Sequence, residues 1–495
     1  MTTEDCGVVI TDVVIVGAGL SGIGAAYQLQ NSCPKKSYII LEARDAIGGT
    51  WDLFRYPGIR SDSDMHTLGY RFKPWNGEKA IADGPSILNY VKETAAENNI
   101  DQYIRYGRRV TKASWSSEDA AWTVETLCTD TGNITRFKCN FLLMCAGYYS
   151  YESGHTPSFS GRERFKGLII HPQKWPENCD YRGKRVVVIG SGATAVTLVP
   201  ELAKEAKHVV MLQRSPTYFL SLPDKDTIAN ILRKILPDKW AYAIARWKNI
   251  FRQQAFYRLT RTHPEKIKRF LLKMVRKELS NDYDIQTHFT PTYNPWDQRL
   301  CIVPNNDLFK VINSGRASVV TGHIDRFNEQ GVELTSEETI EADIVVTATG
   351  LNIALLGGTE FDVDGKTVEF PSTYTYKGIM CSGVPNLIST FGYINASWTL
   401  HADLIAEYAC TLINHMDKSG LRQCTPQLRD EDKDMPEHPW IEDFSSGYIQ
   451  RSLHLLPKQG SHEPWTNPQD YKKDKKILRK NPSEDGALIF SNPQP

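Results

Sequence analysis

The sequence predicts an α/β protein with two dinucleotide-binding, Rossmann-like domains and an inserted helical subdomain. Three observations carry this. An apolar, β-branched run, Val13-Val14-Ile15-Val16, leads directly into Gly17-Ala18-Gly19-Leu20-Ser21-Gly22 and then into helix-forming residues. The same order recurs at Arg185–Ile189, then Gly190-Ser191-Gly192-Ala193-Thr194-Ala195, then a helix expected to reach about Ala203. From Asp224 to about Glu278 the composition shifts to a helical, Lys/Arg-rich stretch with interleaved aromatic residues.

The run from Val8 to Val16 reads as a buried strand. A signal sequence is not expected, because Glu4 and Asp5 stand where positive charge would be and Asp12 interrupts the apolar residues. In the loop that follows, Gly17 gives the tight turn, Gly19 admits a pyrophosphate to the backbone and Gly22 lets helix close on strand. Phosphate then rests on free amide N–H groups. A second strand, Tyr38–Leu41, ends at Glu42, 42 − 22 = 20 residues past the third glycine. A carboxylate there accepts hydrogen bonds from a ribose diol and repels a 2′-phosphate, which suits FAD or NAD and not NADP. Gly48-Gly49-Thr50-Trp51 comes next. Adjacent glycines let backbone pass close to a flat ligand, so Gly49, Thr50 and Trp51 are candidate flavin contacts.

Asp62, Asp64 and His66 lie in the turn-rich segment that follows, at every second position. They lack the glycine and distal Glu of a calcium loop, and no His/Cys cluster completes a zinc site, so no metal is expected. A helix over Ser86 to Asn98 and strands over 109–114, 121–127 and 136–142 should close in Met144-Cys145-Ala146-Gly147. Tyr148, Tyr149 and Tyr151 read as packing residues. In the second domain the strand Val209–Leu212 runs into Arg214, 214 − 192 = 22 residues past Gly192. A guanidinium where the first domain has a carboxylate is built to grip a 2′-phosphate, so the second nucleotide is expected to be NADPH.

Later elements complete these domains. Strands are expected at Ser318–Val320 and Ile344–Thr347, and helices at Asp307–Asn313 and Trp398–His415. The resulting division is residues 1–152, first part of the FAD domain; 153–222, first part of the NADP domain with a linker at 165–176; 223–289, helical insertion; 290–380, second part of the NADP domain; and 381–495, the rest of the FAD domain with a C-terminal wrap. The insertion is expected to shape the entrance to the site, its charges forming the wet face, and a peripheral membrane contact stays open.

The linker carries Phe165, Gly167, His171, Trp175 and Pro176 in the register F-x-G-x-x-x-H-x-x-x-W-P. By this motif the chain resembles the type I Baeyer–Villiger flavin monooxygenases. Asn294-Pro295-Trp296-Asp297-Gln298-Arg299-Leu300 is similar, position for position, to their ethionamide-activating subgroup. The resemblance implies that His171 and Trp175 couple the two domains, that Arg299 is the catalytic arginine, and that Asp62 pairs with it beside the flavin. Many members carry a lysine where this chain has Gln298. The implied reaction takes NADPH and O2 and converts ketones to esters or lactones through a C4a-peroxyflavin, with sulfide or thioamide oxygenation as a co-activity. An N- or S-oxygenating flavin monooxygenase and an NADPH:quinone or disulfide reductase remain alternatives. Against the last, the ten cysteines contain no C-x-x-C pair, which also suits a reducing cytoplasm.

Lys plus Arg and Asp plus Glu are equal at 58, so no global field favours nucleic acid. No run of about 18 apolar residues offers a membrane span.

Overall fold

The computed structural model describes residues 8–442 and 445–493. Val13–Val16 forms the centre of a five-stranded parallel sheet, in the order Leu387–Ser389, Phe141–Met144, Val13–Val16, Tyr38–Leu41, Ile104–Arg105. Alternation along the strand decides what covers each face. Val13 and Ile15 pack with helices Leu20–Ser32 and Trp398–Ser419, whereas Val14 and Val16 pack against Trp115, Trp122 and Phe137. Those last residues belong to a second, mainly antiparallel sheet built on Arg108–Ser116, Ala121–Cys128 and Ile134–Cys139. Both faces are buried, so a slip of one residue would exchange two differently shaped cores.

The second nucleotide domain repeats the logic. Its parallel sheet runs Leu168–Ile170, Ile344–Thr347, Arg185–Ile189, His208–Gln213, Ala317–Thr321. Val186 and Val188 pack beside residues of helix Ala193–Leu202, and Val187 and Ile189 against a three-stranded meander at residues 324–341. An antiparallel ribbon, Tyr149–Gly154 with Leu351–Ile353, joins the two halves. Helices Thr227–Ile235, Asp238–Thr262, Pro264–Glu278 and Ile285–Phe289 make up the insertion.

Several expectations are corrected. The chain returns to the first half by Glu360–Val363, which pairs with Lys112–Trp115, and so well before residue 381. Phe54 and Tyr56 pack in the second core although they precede residue 152. Part of the 165–176 linker, Leu168–Ile170, is itself an edge strand of the second sheet. The strand expected over 136–142 breaks at Asn140, where the Asn140 and Phe141 amides both donate to the Asp12 carbonyl and the chain changes sheet. Of the apolar residues in the first run only Val13–Val16 are buried, for Ile10 lies on an edge strand and is 77% exposed. Helix Trp398–Ser419 extends one turn past His415.

Candidate active site

The first glycine loop is seated by its neighbours. Gly17 has φ 105°, its amide donates to the Leu41 carbonyl at 2.8 Å, and an added Cβ would stand 2.6 Å from the Cys145 carbonyl oxygen. Strand pairing therefore brings the loop beside Glu42. Glu42 is buried, and its carboxylate accepts from the Ala18 amide at 2.8 Å and the Arg44 amide at 3.0 Å. Burial nevertheless pushes its pKa up. A Cβ on Gly49 would lie 3.2 Å from the Gly19 Cα, so the second glycine turn touches the first. Thr50 is exposed beside it, and Trp51 packs half-buried on the first core. Amide donors, closely approaching backbone and a carboxylate at the strand end match the groups a dinucleotide presents.

The second loop is more open. Gly190 has φ 134°, and nothing lies within 4 Å of a Cβ placed on Gly192. Gly192 caps helix Ala193–Leu202 with no side chain on its first amides. The Ser191 hydroxyl donates to the Ser215 carbonyl at 3.2 Å, which carries the loop to the end of strand His208–Gln213. Arg214 stands exposed there, and no protein group pairs with its guanidinium among the described residues.

Between the loops lies an ion pair, Arg299 Nη2 to Asp62 Oδ2 at 2.6 Å. The two side chains keep 33% and 31% exposure. The Asp62 carboxylate raises the Arg299 pKa further, against the effect of burial, so the guanidinium is a permanent cation. Two residues on, Cys301 Sγ approaches the Ser191 carbonyl at 3.8 Å, which places Arg299 near the second loop. Tyr148 and Tyr149, just past the end of the first sheet, bond hydroxyl to hydroxyl, and the Tyr448 ring stands 6.3 Å from each of theirs. Burial raises the Tyr148 and Tyr149 pKa values and Arg299 counteracts it. Tyr148 packs against Phe391 and Trp398, as expected of a packing residue, and both tyrosines also feel the charge of Arg299.

The loop that carries Asp62 is pinned from both domains. Tyr56 shares a side-chain hydrogen bond with Thr194, and Arg60 pairs with Asp307. Asp64 caps helix Met65–Leu68 through the Thr67 amide at 3.1 Å and accepts from Asn249 and Gln253 at 2.9 and 2.8 Å.

The linker motif grips the interdomain ribbon. His171 Nδ1 accepts from the Gln173 amide at 3.2 Å, so Nε2–H donates to the Gly350 carbonyl at 3.1 Å. Burial lowers its pKa and keeps the ring neutral. The ring presses on Gly154, where an added Cβ would fall 1.8 Å from Cε1. Gln173 Nε2 donates to the Ser150 carbonyl at 2.6 Å. Phe165 meets Phe327 edge to face at 6.2 Å, and Gly167 backs onto the Asp343 carbonyl. Trp175 packs on the second core, and the Pro176 carbonyl accepts from Cys179 in the turn that follows.

Residues 81–357 match the family described as flavin-binding monooxygenase-like, and residues 15–75 match an NAD(P)-binding Rossmann-like domain. The FAD-containing monooxygenase EthA of Mycobacterium tuberculosis is 52% identical over 481 residues, covering 97% of each chain. The chain belongs to the flavin-binding monooxygenase-like family. The monooxygenase also shares its fold with an oxidised steroid monooxygenase bound to NADP, at TM-score 0.77 and 22% identity over 98% of this chain and 100% of that one. An open crystal structure of cyclohexanone monooxygenase matches at TM-score 0.75 and 18% identity, with the same coverage. Gln173 and Tyr448 of this monooxygenase were not found from the sequence. Gln173 is an unconstrained position inside the motif, and Tyr448 stands in a segment with no periodicity.

Proposed function

We propose that the chain is an FAD-containing, NADPH- and O2-dependent Baeyer–Villiger monooxygenase that converts ketones to esters or lactones, with oxygen transfer to sulfides and thioamides as a co-activity. The observation that carries this reading is the Arg299–Asp62 pair, a fixed cation set between two nucleotide loops. A relative named FAD-containing and a neighbour bound to NADP support the cofactor assignment. FAD, reduced by NADPH, supplies the activation of O2.

The residues of the chain do the rest. Amides of Gly17–Gly22 and of Gly190–Thr194 bind pyrophosphate. Glu42 would accept from the ribose hydroxyls of FAD, and Gly49, Thr50 and Trp51 would help hold it. Arg214 pairs with the 2′-phosphate of NADPH. Asp62 orients Arg299, and Arg299 stabilises negative charge as it develops on the former carbonyl oxygen. Because burial keeps Tyr148 and Tyr149 protonated, they set no competing anion beside that cation. The balance is ketone, O2, NADPH and one proton giving ester, water and NADP+, with one oxygen entering between the carbonyl carbon and the migrating carbon. Against a disulfide reductase, Cys145 and Cys301 are buried thiols whose pKa values are pushed up to about 12 by burial, far from a reactive thiolate. Nine described cysteines are free thiols, which supports a reducing, cytoplasmic setting.

The test is incubation of the FAD-loaded protein with NADPH, a cyclic ketone and isotopically labelled O2. A lactone carrying one labelled oxygen is expected. NADPH oxidation that yields only reduced quinone or disulfide would refute the reading.

A further inference from the structure

We propose that helices Thr227–Ile235 and Asp238–Thr262 present a docking face for an anionic lipid bilayer. Ile228, Ile231 and Ile235 of the shorter helix are 55%, 53% and 69% exposed, and their spacing sets them on one stripe. Trp240, Ile244, Trp247 and Phe251 of the longer helix, 68%, 43%, 70% and 64% exposed, make a second stripe at helical spacing. Trp247 and Phe251 stack in the open, centroids 6.0 Å apart. Only the Leu236–Pro237 turn separates the two helices along the chain. Soluble monomers scatter such residues singly, and a concentration of this kind marks an interaction surface.

Charge selects the occupant. Residues 227–278 hold fourteen Lys and Arg against three Asp and Glu, a net of +11 in a chain whose totals are equal. Lys234, Lys239 and Arg252 are exposed next to the apolar stripes and make no ion pair among the described residues. Apolar stripes that carry tryptophan and sit among unpaired cations are the composition of helices that lie in a headgroup layer. A second copy would bring the same +11 against itself, and nucleic acid has no use for seven exposed apolar side chains.

The inner side of the longer helix holds the active centre. Arg246 donates to the carbonyls of His66, Thr67 and Gly69 at 2.9, 3.2 and 2.7 Å and pairs with Asp403 at 3.1 Å. Arg261 reaches Asp297 at 2.7 Å, two residues from Arg299. A bilayer on the outer stripe therefore braces the helix that fixes both active-site loops. The docking itself needs no turnover and stands apart from the oxygenation chemistry.

The test is sedimentation of the FAD-loaded full chain with vesicles of phosphatidylcholine alone, or with about 30% phosphatidylglycerol added. Binding to the anionic vesicles about tenfold or more tighter than to the neutral ones is expected, weakening as salt rises. The Trp247→Ser/Phe251→Ser double variant should lose about tenfold or more of vesicle affinity with unchanged NADPH oxidation. Lys234→Glu/Lys239→Glu should abolish the preference for anionic lipid. Protein that stays in the supernatant, or that binds both vesicles equally in every variant, overturns the proposal. So does analytical ultracentrifugation in which the double variant turns a dimer into a monomer while vesicle binding is unmoved, which would assign the face to self-association.

Discussion

Arg214 offers the cleanest separation of nucleotide binding from folding. Its guanidinium is exposed at the end of strand His208–Gln213 and has no protein partner among the described residues, so Arg214→Ala should change folding stability by less than about 0.5 kcal/mol. Charge-assisted hydrogen bonds of the kind proposed contribute about 1.5 to 3 kcal/mol. The exposed setting favours the lower half, about 1.5 to 2 kcal/mol, which is about a ten- to thirtyfold rise in KM for NADPH. NADH lacks the phosphate, and its KM should move less than about twofold, with kcat at saturating NADPH nearly unchanged. The assay is steady-state oxidation of each nicotinamide by parent and variant. Parallel rises for both nucleotides would refute the assignment.

Glu42→Gln tests the buried carboxylate. The folded chain binds the Glu42 proton more tightly than the unfolded chain, so its ionisation lowers stability as pH rises past the ordinary value of 4.5. The FAD-free variant should melt above the parent near neutral pH and converge with it below 4.5, yet release FAD about tenfold more readily on gel filtration. A lower melting temperature for the FAD-free variant would show that the carboxylate stabilises the fold. Gly154→Ala should displace the His171 ring, because the new Cβ would overlap Cε1, and His171→Ala should act alike. Both are expected to lower kcat about tenfold with bound FAD retained, measured as turnover per flavin. Unchanged turnover in both would remove the motif from domain coupling.

The sequence was most informative where chemistry sits within a short window. Gly17–Gly22, Glu42, Gly190–Ala195 and Arg214 each depend on one strand, one turn and one helix start, and the structure has those elements where the spacing set them. The linker motif was equally plain, although Leu168–Ile170 proves to be a strand as well as a connector. Partner choice over long separations was hidden. Glu360–Val363 is a four-residue strand whose place depends on Lys112–Trp115, and nothing in its composition names that neighbour. Asp62 was linked to Arg299 through a family likeness, because no local pattern joins positions so far apart. Tyr448 arrives from the C-terminal region and gains meaning only beside Tyr148 and Tyr149. Val8–Val16 misled by composition, since Ile10 ends one strand and Val13 begins another in a different sheet.

The role of Arg299 is tested most directly by a single-turnover experiment on Arg299→Ala, with FAD bound and the reaction started by NADPH in the presence of ketone and labelled O2. Retained FAD with lactone formation reduced about a hundredfold or more is the expected result. Lactone formed at the parent rate would contradict it and remove the Arg299–Asp62 pair from the chemistry.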